Sequence, residues 1–173
     1  MKKFPSIFKF ILYLSLFESF LINQSSAFFP TINEPNQQEL ESTAIQIGKT
    51  AIQLIQFGQN EDAIKLLRLA VKLHPNEIGL WTSLAEAQAR SNRNYQALSS
   101  LNQAIKLRPG EQSIYLSQAS IYMNLDDPKK AKIYIKKGLS INKNSERGFF
   151  QLGNAEMMLN NYSSALNAFK KSL

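Results

Sequence analysis

The chain contains no cysteine and only one histidine, and no apolar run in it reaches the length of a membrane span. Without thiols there can be no disulfide framework, thiolate nucleophile or thiolate metal site, and the chain is indifferent to the redox state of its compartment. The lone histidine, His74, stands directly before Pro75 and reads as a surface residue of a turn. By itself it cannot build a zinc site of the usual kind or a catalytic triad. Carboxylates are scarce too, 13 against 20 lysines and arginines. Glu61-Asp62, Asp126-Asp127 and Glu146 fall at helix starts, where the helix dipole favours them. No carboxylate pair lies in an apolar run, where burial would raise a pKa for proton transfer. Gly48-Lys49-Thr50 imitates the end of a phosphate-binding loop, but the glycine required upstream is replaced by Thr43 and no strand precedes it. Asn161-Tyr162-Ser163 has the form of a glycosylation acceptor, a short match of little weight. The expectation is a protein with no catalytic residue, no metal and no cofactor.

The 173 residues suffice for one domain with a core, and a hydrophobic content of 44% places the chain with folded rather than disordered sequences. The net charge is +7 and the pI about 9.6. Part of this excess precedes an apolar run: Lys2, Lys3 and Lys9 lead into residues 10–17, followed by Glu18, further apolar residues and Ser25-Ser26-Ala27. A positive start, a short apolar stretch and small residues before a cut after Ala27 read as a secretory signal peptide over residues 1–27. Even counted from Phe10 to Ile22 the run includes Glu18 and falls short of the roughly 20 residues that a spanning helix needs. An uncleaved membrane tether is the alternative reading. Either way, export or tethering is expected, in a periplasm, a thylakoid or another extracytoplasmic compartment. Residues 28–43 read as a linker running into a helix start, with Asn33-Glu34-Pro35 as its cap and first turn.

Beyond this there is no β-type alternation. Segments long enough for three to four helical turns carry apolar side chains three and four apart and are separated by short polar turns. Four turns fall inside pairs, at residues 58–60, 92–94, 125–127 and 160–161, and Asp127 before Pro128 is a strong helix start. Overlaid at the constant interval that separates Ala63, Ala97, Ala131 and Ala165, three columns hold only small side chains. Positions 51/85/119/153, 63/97/131/165 and 70/104/138/172 are all Ala, Gly or Ser. Small residues let helices approach near the lower end of the usual spacing of about 8–10 Å. Bulky residues recur beside them, among them Leu67, Leu101, Ile135 and Phe169, and Trp81, Tyr115 and Phe149 form an aromatic column.

This pattern resembles the tetratricopeptide repeat family over residues 44–173. Trp81, Leu84, Ala85, Ala97, Leu101, Ala104 and Pro109 carry the match most fully; Ile47, Thr50, Gln88, Lys143 and Glu156 depart from it. The resemblance implies an all-α, right-handed α-solenoid of four helix-turn-helix hairpins, at about 44–77, 78–111, 112–145 and an incomplete 146–173. It also implies that the first helix of each hairpin lines a concave groove. Carried onto this sequence, the groove positions are Ile45, Gly48, Ile52 and Ile55; Gly79, Thr82, Glu86 and Ala89; Ser113, Leu116, Ser120 and Met123; Arg147, Phe150, Asn154 and Met157. With Glu86, Arg90 and Asn154 as polar handles, such a groove suits an apolar or amphipathic segment of a protein partner. The family's carboxylate clamp is not expected, because Gly48 and Ile52 stand where its first-repeat donors would be.

Lys129, Lys130, Lys132, Lys136 and Lys137 fall on the opposite, convex side. They read as a solvated face, or as a surface for anionic headgroups or an acidic partner. Without interleaved aromatics or a recognisable module, nucleic acid is not an expected partner. The repeat pattern stops at Leu173 before the fourth unit closes, so a further segment or a partner is expected over that face. The functional expectation is a non-catalytic scaffold or assembly factor, with the recognition arm of a larger enzyme or secretion machine as the alternative. In its size, its apolar N-terminus and repeats such as EDAIKLLRLAVKLHPNEIGLWTSLAEAQ, the chain also resembles small membrane-associated tetratricopeptide proteins that help assemble photosystem I in cyanobacteria and plastids.

Overall fold

One residue in each hairpin takes up the left-handed backbone that lets the chain reverse: Gly58 (φ 77°), Asn92 (59°), Asp126 (56°) and Asn160 (60°). Glycine adopts this conformation freely, and Asn and Asp tolerate it better than other side chains. The computed structural model describes residues 35–173; the expected signal or tether, Asn33 and Glu34 lie outside them. The turns separate α1 (Gln37–Gln56) from α2 (Asn60–Leu73), α3 (Ile78–Arg90) from α4 (Asn94–Leu107), α5 (Gln112–Asn124) from α6 (Pro128–Ile141), and α7 (Glu146–Met158) from α8 (Tyr162–Lys171). Among the described residues there is no strand, and the helices pair as hairpins and stack in chain order, giving the all-α solenoid of four hairpins. Helix α1 begins before residue 44, so residues 37–43 of the expected linker and helix start are already helical.

Local chemistry accounts for several helix ends. The Asp127 carboxylate accepts from the Lys130 N–H at 3.0 Å with Pro128 in the first turn, and the Ser145 hydroxyl accepts from the Gly148 N–H at 3.1 Å. Both satisfy backbone donors that the helix leaves unpaired. The aromatic column fastens the turns between hairpins: the Trp81 indole donates to the Pro75 carbonyl at 2.7 Å, and the Tyr115 hydroxyl to that of Pro109 at 2.9 Å. In the last repeat Phe149 has no such donor and Lys143 replaces the proline. There the Lys171 ammonium lies over the Phe149 ring instead.

The small columns form the packed seams. Eleven of their twelve residues are buried and Ser172 is half-buried, which explains why nothing larger appears there. Leu67, Leu101 and Ile135 fill the space between hairpins and are fully buried. Buried polar side chains stitch the stack across its junctions: Gln118 donates to Asn102 at 2.8 Å, and Gln151 donates to the Ser120 hydroxyl at 2.7 Å and the Leu116 carbonyl at 3.3 Å. The first helices α1 and α3 touch, as do α5 and α7, whereas α3 and α5 stand further apart. His74 departs from expectation. Its side chain is largely covered, with its ring nitrogens 3.6 Å from Glu41 and 3.9 Å from Glu77, because the start of α1 folds over the turn that contains it.

Candidate functional site

The first helices line one face, and two adjoining hollows open on it. The first, of about 320 Å³, lies between α1 and α3 and is lined by Ile45, Gly48, Lys49, Ile52, Glu77, Gly79, Leu80, Thr82 and Ser83. Its floor is a close approach of two helices: a Cβ on Gly48 would stand 2.5 Å from the Leu80 side chain. Ile45 and Ile52 remain 40% and 43% exposed on its rim, enough to offer apolar area to a partner. The second, of about 390 Å³, lies where α3 and α5 diverge. Thr82, Ser83, Glu86, Ala89, Ser117, Ser120, Asn124 and Arg147 line it, with Ala85, Leu101 and Ile121 behind. Thr82 and Ser83 border both hollows, which makes them one continuous surface.

The structure thus brings together Ile45, Gly48, Ile52, Gly79 and Thr82, and then Thr82, Glu86, Ala89, Ser120 and Arg147. Ile55 and Leu116 do not belong with them. Ile55 is buried in the first core cluster, and Leu116 is buried with its side chain packed on Gly138 of α6. The cause is helical phase: at about 100° per residue, the positions three and ten residues after the first of each set rotate off the line of the first and the one seven after it, toward the neighbouring helix. Met123 is half-buried against the third core cluster for the same reason. Arg90 extends from the face and clasps Glu86, with Nε at 3.0 Å and a terminal nitrogen at 2.9 Å. Phe150, Asn154 and Met157 line neither hollow. Phe150 is 53% exposed with its ring 5.8 Å from that of Phe169, Asn154 is half-buried, and Met157 is exposed. Lys49, Ser83, Ser117 and Asn124 were not among the expected groove residues. Ser83 and Ser117, one repeat apart, are a column whose hydroxyls carry no hydrophobic signal.

The departures from the aromatic pattern at Gln88 and Glu156 prove to be buried polar joints. Gln88 accepts from the Ser100 hydroxyl at 2.7 Å in a wholly buried contact. Glu156 is 5% exposed and is held by Lys132 at 2.6 Å and by the Asn161 amide at 2.8 Å. Burial by itself pushes the Glu156 carboxyl up, but the hydrogen bonds from Lys132 and Asn161 and the charges of Lys132 and Lys136 together bring it below the ordinary value. Lys132 is therefore an internal partner rather than a surface cation, and the amide of the Asn161 sequon is likewise engaged. Lys129, Lys130, Lys136 and Lys137 are exposed. The expectation that these lysines lack interleaved aromatics fails, first in the run itself, where Tyr134 stands between Lys132 and Lys136 on α6, and again through α5: Tyr122 stacks on Tyr134 at 5.1 Å, with Lys130 over Tyr122 at 5.6 Å and Lys137 over Tyr134 at 5.0 Å. Among the described residues no three His, Asp or Glu gather as a metal-binding cluster, and no helix is long and apolar enough to cross a membrane.

A stack of helical hairpins with close-packed small seams and a first-helix groove is the tetratricopeptide repeat fold. Residues 112–145, the third hairpin, match the tetratricopeptide repeat family. No curated protein matches the sequence. Solved structures of MamA share the fold. One is 23% identical, with 75% of this chain and 71% of that chain covered and a TM-score of 0.67. Another is 20% identical, covering 79% and 84%, with a TM-score of 0.68. MamA from Desulfovibrio magneticus RS-1 is 16% identical, covering 75% and 73%, with a TM-score of 0.66.

Proposed function

We propose that the chain is a non-catalytic scaffold that holds an apolar or amphipathic segment of another protein against its first-helix face. The tetratricopeptide architecture supports a protein partner in general, and the observation that carries the finer reading is the rim of Ile45 and Ile52 beside Gly48. Exposed isoleucines on a hollow that adjacent helices hold open gain by burial about 25 cal/mol per Å², before the costs of association. A photo-reactive residue at position 52 should cross-link in cells to a discrete protein partner, whereas the same probe at Leu69, exposed on a second helix, should not. Equal labelling from both positions would count against the groove. Because apolar burial is not screened, the share of binding that Ile45 and Ile52 contribute should change little with salt, and any salt dependence of the complex comes from charged residues elsewhere on the face.

The basic start and short apolar run at the N-terminus support a place of action across or beside a membrane. The exposed Lys129, Lys130, Lys136 and Lys137 suit an anionic headgroup surface on the opposite face. The role we assign is help in assembling a membrane complex, such as photosystem I, on the strength of the N-terminal segment and the repeat pattern. Sequencing the N-terminus of the mature protein should give Phe28 after cleavage, or Met1 in a membrane fraction if the segment is retained. An intact Met1 in the soluble cytosolic fraction would overturn the assignment.

A further inference from the structure

We infer that the second hollow, between α3 and α5, seats an acidic side chain of the partner segment, with Arg147 as its counter-charge and the Asn124 amide as a second donor. This rests on the groove reading above and adds the partner's chemistry.

The hollow's own hydrogen bonds dictate this preference. Glu86, its one acidic lining residue, is already clasped by Arg90 at 2.9 Å. Arg147, in contrast, has no carboxylate in ion-pair range among the described residues, so the hollow keeps a net positive charge. The Ser117 hydroxyl donates to the Ser113 carbonyl at 3.0 Å and that of Ser120 to the Leu116 carbonyl at 3.2 Å. Those protons are committed to the helix, and both oxygens can offer a ligand only lone pairs. The Asn124 amide has no partner among the described residues. Donors without acceptors thus lie at Asn124 and Arg147, while the spare acceptor lies at Ser117, the Ser120 oxygen already accepting from Gln151. A carboxylate needs the former and the N–H groups of an extended backbone suit the latter.

Placement reinforces the chemistry. Gln151, buried and bonded to Ser120 and Leu116, pins α7 against α5. Arg147 lies one turn earlier on the same face of α7, so this anchor also directs it toward α5. Through Thr82 and Ser83 the hollow continues into the apolar one. The occupant is therefore a protein segment with an apolar residue at Ile45 and Ile52 and an Asp or Glu several residues away at Arg147.

The test uses the full chain and a phage-displayed library of random dodecapeptides. Peptides enriched on the wild type should combine an apolar residue with an acidic one at a fixed spacing. Arg147→Gln should weaken them on the order of five- to tenfold and remove their salt dependence. Panning on Arg147→Glu should replace Asp and Glu by Lys and Arg at that spacing, a change that a merely structural role for Arg147 would not produce. Enriched peptides that fail on Ile52→Asp but show no acidic preference and ignore Arg147→Glu would overturn this inference and leave the groove reading standing. Peptides indifferent to both substitutions, or no enrichment at all, would overturn both. Circular dichroism of each variant guards against unfolding.

Discussion

Truncating Ile135 to alanine should lower the unfolding free energy by about 2–5 kcal/mol, the range for deleting a fully buried aliphatic side chain and leaving a cavity. Ile135 has no exposed surface and packs with Ala119, Ala131 and Ala155, so it joins the two helices of the third hairpin to the first helix of the fourth. Its buried neighbours are alanines that cannot grow into the space, while Met123 and Leu152 at the edge of the cluster can shift a little, which argues for the middle of the range. In a stack of repeats each unit contacts only its neighbours. The loss should therefore appear first as faster amide exchange in α5 to α8, while α1 and α2 keep their protection. Chemical denaturation gives the magnitude and hydrogen exchange the location. A loss below about 1 kcal/mol would mean that this junction collapses without cost, contrary to its packing.

Replacing Lys132 by alanine should cost about 2–4 kcal/mol near neutral pH, somewhat less than for a fully buried pair because Lys132 keeps partial contact with water. The change strands the Glu156 carboxylate, which is 5% exposed, with only the Asn161 amide for support. The pH dependence has a definite sign. In the folded protein the Glu156 pKa lies below its ordinary value of 4.5. Its network therefore contributes fully above that value and loses its contribution as pH falls through the folded pKa. The stability gap between wild type and Lys132→Ala should narrow in acid, and adding Glu156→Gln should recover most of the loss by removing the buried charge. A gap that stays constant from neutral to acidic pH would show that lost packing of the lysine stem, rather than charge, sets the cost.

The resemblance to MamA structures at 16–23% identity fixes an architecture, and repeat architectures hold many unrelated partners. On the groove reading proposed above, specificity comes from the lining of the two hollows. The first is apolar and common in kind. The second is more particular, because its charge comes from one arginine of α7 that the divergence of α3 and α5 leaves accessible.

The sequence alone determined the repeat, its register and the helices. A close helix–helix seam requires a small side chain at every period, and alanine or glycine at eleven of twelve column positions leaves little else to form there. The Asp127-Pro128 helix start was legible in the same way, as was the placement of the hairpin turns, since both depend on neighbours in the chain. The fate of individual groove positions was not. Ile52 and Ile55 are the same residue type three apart, yet one rims a hollow and the other is buried, because a rotation of about 60° turns the second toward the packing helix. Glu156 read as an imperfect repeat position and became a buried carboxylate because Lys132, on the preceding hairpin, is brought against it by hairpin stacking. The Tyr122 ring under Lys130, the covering of His74 by α1 and the unpaired Arg147 over the α3–α5 gap arise likewise from contacts between elements, whereas Lys137 over Tyr134 is a contact within α6. Helical phase is written locally in the sequence; which side chain meets which across a junction depends on the distance and angle between hairpins, and only the folded stack sets those.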